Sequence, residues 1–350
     1  MVGNEYSRYI GRKRAILLTL FLLILIMALW ALNTGSYALS PRQVLQTLLG
    51  SGSQEANVAI WNIRLPRILA GVVAGAGLSA AGCVMQNNLR NPLASPLTLG
   101  ISNAAAFGAN VAIILLGAGT VASSSAGLVT INNPYTVTIL AFLCAMMATV
   151  LILGLARLGG FSPEAIILAG VALGSLFSAG TAIIQYFAED VKVAAVVFWT
   201  FGDLGRAAWN EVYIMAFLVT VALGYFMIKS WDYNAISSGE ETAQGLGVNV
   251  DWVRLTGMFT ASLITAVAVS FLGIIAFIGL VGPQITRRLI GDDHRFLLPG
   301  SALTGALLLL AADTAARTVI SPVVLPVGAV TSFLGAPLFL YLLVRGHKKR

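Results

Sequence analysis

Ten apolar runs divide the chain, at 15–33, 58–86, 96–117, 134–157, 163–187, 209–229, 252–273, 276–290, 296–317 and 325–344, with polar connections between them. Most are about 20 residues long, which as an α-helix crosses a hydrocarbon core roughly 30 Å thick. They are too long and too uniformly apolar for barrel strands, and a helix pairs its backbone N–H and C=O groups internally where no water can. The pattern predicts an all-α, polytopic membrane protein of about ten transmembrane helices, a single membrane domain over 1–350. Residues 41–49 read as a short amphipathic helix at the outer surface, and 193–201 as a re-entrant or surface piece. Gly71-x-x-x-Gly75 and Gly170-x-x-x-Gly174 place small residues where helices approach closely. No internal repeat or soluble domain is evident.

Composition agrees. Hydrophobic residues make up 58% and charged residues 10%, against about 25% charged in an average soluble domain. The net charge of +7 does not point to nucleic acid, because the basic residues sit at the ends of apolar runs rather than on one face. With a cytoplasmic N-terminus, 15 of the 21 Lys and Arg fall inside and six outside (Arg42, Arg64, Arg67, Lys192, Arg206, Arg317). That bias supports the orientation and an even number of crossings, so both termini are expected in the cytoplasm. The first run follows Arg8, Arg12, Lys13 and Arg14. Its length exceeds a signal-peptide core and no small-x-small cleavage site follows, so it reads as a retained helix. Cys83 and Cys144 lie inside apolar runs and read as small packing residues.

Chemistry concentrates in the connections. The long polar segment 232–251 carries Gly239-Glu240-Glu241-Thr242-Ala243-Gln244-Gly245-Leu246-Gly247. Ser237 and Ser238 are expected to cap, the acids to favour a helix start, and the glycines to end one short helix and permit a turn. Two short cytoplasmic helices are expected, a docking surface for a partner rather than a plain loop. No Gly-Lys-Ser/Thr occurs, so any ATPase must be another chain. No acidic intramembrane chain suggests a proton relay; Asp313 and Arg317, four apart, are expected to pair.

Arg64 and Arg67 flank Pro66 at one outer helix start, and Arg317 ends another. Two readings stay open for them: snorkelling to lipid phosphates, or a receptor for carboxylates of a docking protein. At the inner side, Gln86 to Pro96 reads as a tight turn punctuated by Pro92 and Pro96. Asp292-Asp293-His294-Arg295 reads as helix capping rather than a metal cluster. A stand-alone channel or secondary transporter is the rival from another class, and an enzyme lacks a candidate catalytic cluster.

Ile63-Arg64-Leu65-Pro66-Arg67, Gly82-x-x-x-Gln86, Asn91-Pro92-Leu93-Ala94-x-Pro96, Leu168-Ala169-Gly170-Val171-Ala172-Leu173-Gly174, Gly239-Glu240 with Leu246-Gly247, Phe277-Ile278-Gly279-Leu280, Asp293-His294-Arg295, Asp313-x-x-x-Arg317 and Leu325-Pro326-Val327-Gly328 follow in collinear order from about 58 to 344. In these stretches the chain resembles the FecCD-type permeases of binding-protein-dependent importers for iron-siderophores, haem and cobalamin. The resemblance implies a prokaryotic cytoplasmic-membrane permease for iron(III)-siderophore-type chelates, with haem or cobalamin as the alternative cargo. It implies a second permease subunit, identical or paralogous, two cytoplasmic ATPases that hold ATP and Mg, and an external binding protein. The permease itself would be no enzyme and would bind no cofactor or metal. By the same resemblance Arg64, Arg67 and Arg317 would receive the binding protein, and Glu240, Glu241, Ala243, Gly245 and Gly247 would seat on the ATPase. Asn91 and Leu93 would lie near a cytoplasmic gate. Gln284, where many relatives have histidine, and Ala104 and Ala106, where glycine is common, depart from the pattern.

Overall fold

The computed structural model describes residues 2–347 apart from 36, 38, 122–128, 132 and 321–322. The chain opens with α1 (Val2–Asn33), the short α2 (Pro41–Leu48) and α3 (Gln54–Asn57). A π-helical turn, Val58–Arg64, carries α3 directly into α4 (Leu65–Asn88), and α5 (Ile101–Asn110) ends in a second, Val111–Leu115. After a hairpin of β1 (Gly119–Val121) and β2 (Val129–Ile131) come α6 (Pro134–Leu158), α7 (Pro163–Tyr186), α8 (Asp190–Thr200) and α9 (Trp209–Ile228). Then follow α10 (Ser230–Ser237), α11 (Glu240–Gly245), α12 (Val250–Leu272), α13 (Ile278–Ile290), α14 (His294–Thr318) and α15 (Val327–His347).

Seven helices among the described residues are long and apolar enough to cross a membrane, and Ile101–Leu115 and Val327–Tyr341 are shorter apolar ones. With α13 they occupy all the expected runs. The surface pieces are present as α2 and α8. Sequence reasoning missed the antiparallel pairing of Gly119–Val121 with Val129–Ile131, because two three-residue strands leave no periodicity to detect.

Helix starts are set locally. Pro41, Pro134 and Pro163 stand in the first turns of α2, α6 and α7, where a missing N–H costs no hydrogen bond. Ser40, Asn133 and Ser162 precede them, each accepting a backbone N–H on its side-chain oxygen.

α13 departs from a full crossing. Its 13 residues rise about 20 Å, short of a core roughly 30 Å thick. The backbone leading into it from α12 is instead non-helical, between Gly273 at φ 79° and Phe277 at φ 64°. Such backbone is tolerated at membrane depth only when protein covers it, and Ile275 and Ala276 are buried. Gly202 and Gly328 make the cover possible: a Cβ on either would lie 2.5 or 2.4 Å from the Ile274 carbonyl oxygen.

α4 is the axis of the bundle, with 78% of its apolar window buried against 22% in α1 and in α7. It packs on α14, α12 and α13. Backbones meet at the α4–α14 crossing, where a Cβ on Gly75 would come 2.4 Å from the Gly305 carbonyl oxygen. Gly170 and Gly174 let α7 rest on the backbone of Leu99 and Gly100, at 3.1 Å each. The connections gather at two ends. One brings together Thr34, Tyr37, Asp203 and Arg317; the other joins the end of α4, Phe161, α10, α11 and Asp293.

Candidate functional site

The end of the bundle expected from the sequence to face outward, called the outer end below, holds the three arginines singled out in the sequence. Arg64 and Arg67 sit one turn apart where α4 begins, and Asp313 and Arg317 one turn apart near the end of α14. Arg67 Nε donates to Asp313 Oδ1 at 2.9 Å, and Arg317 Nε to Asp313 Oδ2 at 3.0 Å, so one carboxylate is shared between two helices. Arg67 also pairs with Asp203 at 3.1 Å, whose side chain is 43% exposed whereas that of Asp313 is 0%. Arg64, itself buried, donates to the carbonyls of Leu32 and Tyr37 and ties α4 to the end of α1. Arg317 Nη1 reaches the Thr34 carbonyl at 3.0 Å.

The expected Asp313–Arg317 pair is therefore present. Arg67 and Asp203 join it across gaps in sequence that no spacing rule reveals. The guanidiniums are largely spent within the chain rather than open to solvent. Two of their buried nitrogens have no hydrogen-bond partner among the described residues: Arg317 Nη2, and Arg67 Nη2, which lies within ion-pair distance of Asp313 and Asp203. Three arginines face two aspartates, so the cluster keeps a spare positive charge and a spare donor for an anion.

The opposite end, expected to face the cytoplasm and called the inner end below, holds the two expected short helices, α10 and α11, joined at Gly239 with φ 128°. Glu240 and Glu241 fill the first turn of α11, where carboxylates meet the positive end of the helix. The serines do not cap it. Gly239 stands at the cap position without a side-chain bond; Ser237 Oγ donates instead to Asn87 Oδ1 at 2.7 Å, and Ser238 Oγ back to Asn234 O at 3.3 Å. Both serines lie at the end of α10, where their hydroxyls also reach the carbonyls of Tyr233, at 3.0 Å from Ser237, and Asn234, a turn earlier.

The five residues expected to seat on an ATPase divide. Ala243 is fully buried, and Glu240 turns inward to Arg254 and, at 3.8 Å, to Arg90. Glu241, Gly245 and Gly247 face solvent beside Leu246, which is 70% exposed. A polar cleft of about 940 Å³ opens beside the first turn of α11, lined by Arg90, Glu164, Glu240, Glu241 and Asp251.

Asn91 and Leu93 lie on the loop after α4. Asn91 Oδ1 accepts the Leu93 N–H at 2.9 Å, fixing the turn, and Leu93 is 43% exposed. Gln284 on α13 donates to Gln86 Oε1 at 3.1 Å and to the Pro92 carbonyl at 3.3 Å. The residue that departs from the usual histidine thus supports this loop, which its sequence position did not reveal.

Asp293 caps α14 as expected, accepting from Arg295 N at 3.1 Å and from Asn234 Nδ2 at 3.0 Å. Burial pushes its carboxyl up, but hydrogen bonds from Arg295 and Asn234 outweigh this and hold it at about 2. Cys83 and Cys144 are free thiols, the first buried.

Long apolar helices around a buried axis, with an ion-pair cluster at one end and short projecting helices at the other, define the membrane subunit of a transporter. The chain belongs to the FecCD transport family, which matches residues 22–345, and is an ABC importer permease of that family. It is 56% identical over 348 residues to MJ0087 of Methanocaldococcus jannaschii, provisionally named an ABC transporter permease, covering 99% of each chain. It is 38% identical to the hemin transport system permease protein HmuU of Yersinia pestis, over 97% of this chain and 99% of that one. With the Fe(3+)-citrate import system permease protein YfmE of Bacillus subtilis it shares 37%, over 95% and 96%. A solved structure, provisionally described as a metal-chelate type ABC transporter in an inward-facing conformation, superposes with a TM-score of 0.82 at 30% identity, covering 95% of this chain and 99% of that one.

Proposed function

We propose that this chain forms the translocation pathway for iron(III)-siderophore-type chelates across a prokaryotic cytoplasmic membrane, both termini inside, driven by ATP hydrolysis in a separate cytoplasmic ATPase. The observation that carries the reading is α11. Its exposed Glu241, Gly245, Leu246 and Gly247 offer a contact face, while buried Ala243 and the inward-turned Glu240 fix it to the bundle. A stand-alone channel or secondary transporter has no use for such a knob. The relative named for Fe(3+)-citrate, with the metal-chelate neighbour, supports an iron chelate, whereas the relative named for hemin supports haem. Haem and cobalamin are the alternative cargoes.

In this reading the working assembly is two permeases, identical or paralogous, two ATPases and an extracytoplasmic binding protein. ATP binding and hydrolysis displace α10 and α11, and the loop carrying Asn91 and Leu93 opens or closes the inner end. Coupling of this kind needs an element with two packings, and no covalent bond is made or broken in the permease. At the outer end a carboxylate of the binding protein would compete with half-exposed Asp203 for Arg67, and take the spare donor of Arg317, with Arg64 holding the base of the site. Such pairs set orientation and on-rate more than affinity.

The test is reconstitution in vesicles with and without the cognate ATPase, scoring uptake of ferric siderophores, haem and cobalamin. ATP-dependent uptake of a ferric siderophore is the expected result. Equal uptake without the ATPase would overturn the importer reading; uptake of haem or cobalamin alone would replace the cargo.

A further inference from the structure

Arg254, near the inner end of α12, is 2% exposed, and its guanidinium reaches three different elements. Nε donates to the carbonyl of Asn88, the last residue of α4, at 3.0 Å. Nη1 donates to the carbonyl of Phe161, in the turn joining α6 to α7, at 2.7 Å. Nη2 meets the carboxylate of Glu240 on α11. Phe161 sits at φ 54°, a conformation that costs a bulky residue energy and persists only where the surroundings enforce it.

We propose that Arg254 is the positioning residue that transmits displacement of α11 to the loop of Asn91 and Leu93, a role that rests on reading α10–α11 as the coupling element. Two observations separate this from a passive tie. The carboxylate partner is not in the bundle but on a six-residue helix, one-third exposed at the edge of the inner cleft. A bond meant only to hold helices together would resemble Asp313, enclosed on both sides. Second, the same corner contains buried polar atoms with no partner among the described residues: both side-chain atoms of Asn88 and the Tyr233 hydroxyl. They converge on Gly257, one turn along α12, where a Cβ would lie 2.7 Å from Asn88 Nδ2 and 2.8 Å from Tyr233 Oη. Unsatisfied buried groups call for a reason, and a second arrangement of the end of α4 that engages them supplies one.

α10 grips the same end of α4. Asn87 Nδ2 donates to the Tyr233 carbonyl at 3.2 Å, and Arg90 Nη2 to the Ile236 carbonyl at 3.3 Å. The planar guanidinium, with five donors in fixed directions, keeps three acceptors in one relative geometry, which a lysine ammonium on its flexible stem does not. Movement of Glu240 therefore turns the Arg254 fork and shifts the Asn88 carbonyl, one residue before the loop begins.

The experiment reads the loop directly, without any ATPase. Leu93→Cys is introduced and its labelling rate by a maleimide is measured in the purified full chain, against the parent whose Cys83 and Cys144 supply the background. Glu240→Gln is nearly isosteric and is expected to keep the fold, yet to raise the labelling rate at residue 93 at least three-fold. Arg254→Met is expected to raise it further, with the double variant no faster than Arg254→Met alone, and Arg254→Lys falling between. A rate unchanged or lowered in Glu240→Gln, or effects that multiply in the double variant, would overturn the proposal even if Arg254→Met proved too unstable to assay. Failure of the importer reading shows only in the vesicle experiment, so the two fail separately.

Discussion

Both ends of the bundle set an arginine against a carboxylate, with opposite mechanical results. At the outer end every partner of Asp313 stands on a long helix: Arg67 on α4 and Arg317 on α14, the two helices whose backbones meet at Gly75 and Gly305. At the inner end Arg254 is equally buried, but Glu240 belongs to a six-residue helix and remains one-third exposed. So short a helix has little stability of its own and lies where its contacts put it. The outer pair acts as a rivet between two long helices, and the inner pair as a tether holding a short, partly exposed one.

The largest effect expected from this contrast is at Asp313. Asp313→Asn removes the charge that Arg67 and Arg317 share in a fully enclosed site, and breaking a buried pair costs about 3–5 kcal/mol. Thermal unfolding of the detergent-purified protein, followed by loss of the monodisperse peak, reads it; a loss no greater than that of Glu240→Gln would erase the distinction between rivet and tether.

Next comes Gly75→Ala, whose methyl would fall 2.4 Å from the Gly305 carbonyl oxygen and force the two axes apart at about 1–3 kcal/mol. Gly245→Ala on α11, with nothing within 4 Å, is its control and should change stability by less than about 0.5 kcal/mol. Equal effects at the two sites would mean that the crossing is not the tight point of the bundle.

Asp203→Asn is expected to cost only about 0.2–1 kcal/mol, because its pair with Arg67 is half in solvent. The useful readout there is association with the binding protein proposed to dock at Arg67, which should tighten once the internal competitor is gone. Weaker association would place docking elsewhere on the outer face.

Smallest is the pH dependence from Asp293. Its carboxyl is depressed from the ordinary 3.8 to about 2, so the unfolded chain takes up its proton first. The stabilisation is complete above about pH 4 and disappears as pH falls toward 2. Asp293→Asn should flatten the fall in melting temperature over that window; an unchanged slope would remove the cap from the account.

Much of the architecture was legible in the sequence because the solvent for most of the chain is lipid. Apolar runs at 134–157 and 209–229 became α6 and α9 within a residue or two at each end, since a backbone without water has to close its hydrogen bonds locally. Starts at Pro41, Pro134 and Pro163 were readable for the same local reason. The site was legible by residue type but not by connectivity. Arg67 was visible as a charge in an odd place, yet Asp313, its partner, lies 246 positions away. Arg254 read as one more cytoplasmic positive charge, and nothing in its neighbours marked it as the most enclosed charge of the inner end. The serine caps of α11 were expected from composition and were lost to Asn87 and Asn234, tertiary and local acceptors that competed for the hydroxyls.

Sequence by itself determined what is periodic or local: the all-helical class, the number of apolar runs, their caps, and the absence of a nucleotide-binding loop. Tertiary structure decided which charges meet, why α13 stops short and is entered through a covered loop, and which face of α11 stays open. The physical reason is that lipid enforces backbone satisfaction residue by residue, whereas a buried charge is satisfied by whatever partner packing delivers, and that partner can come from anywhere in the chain.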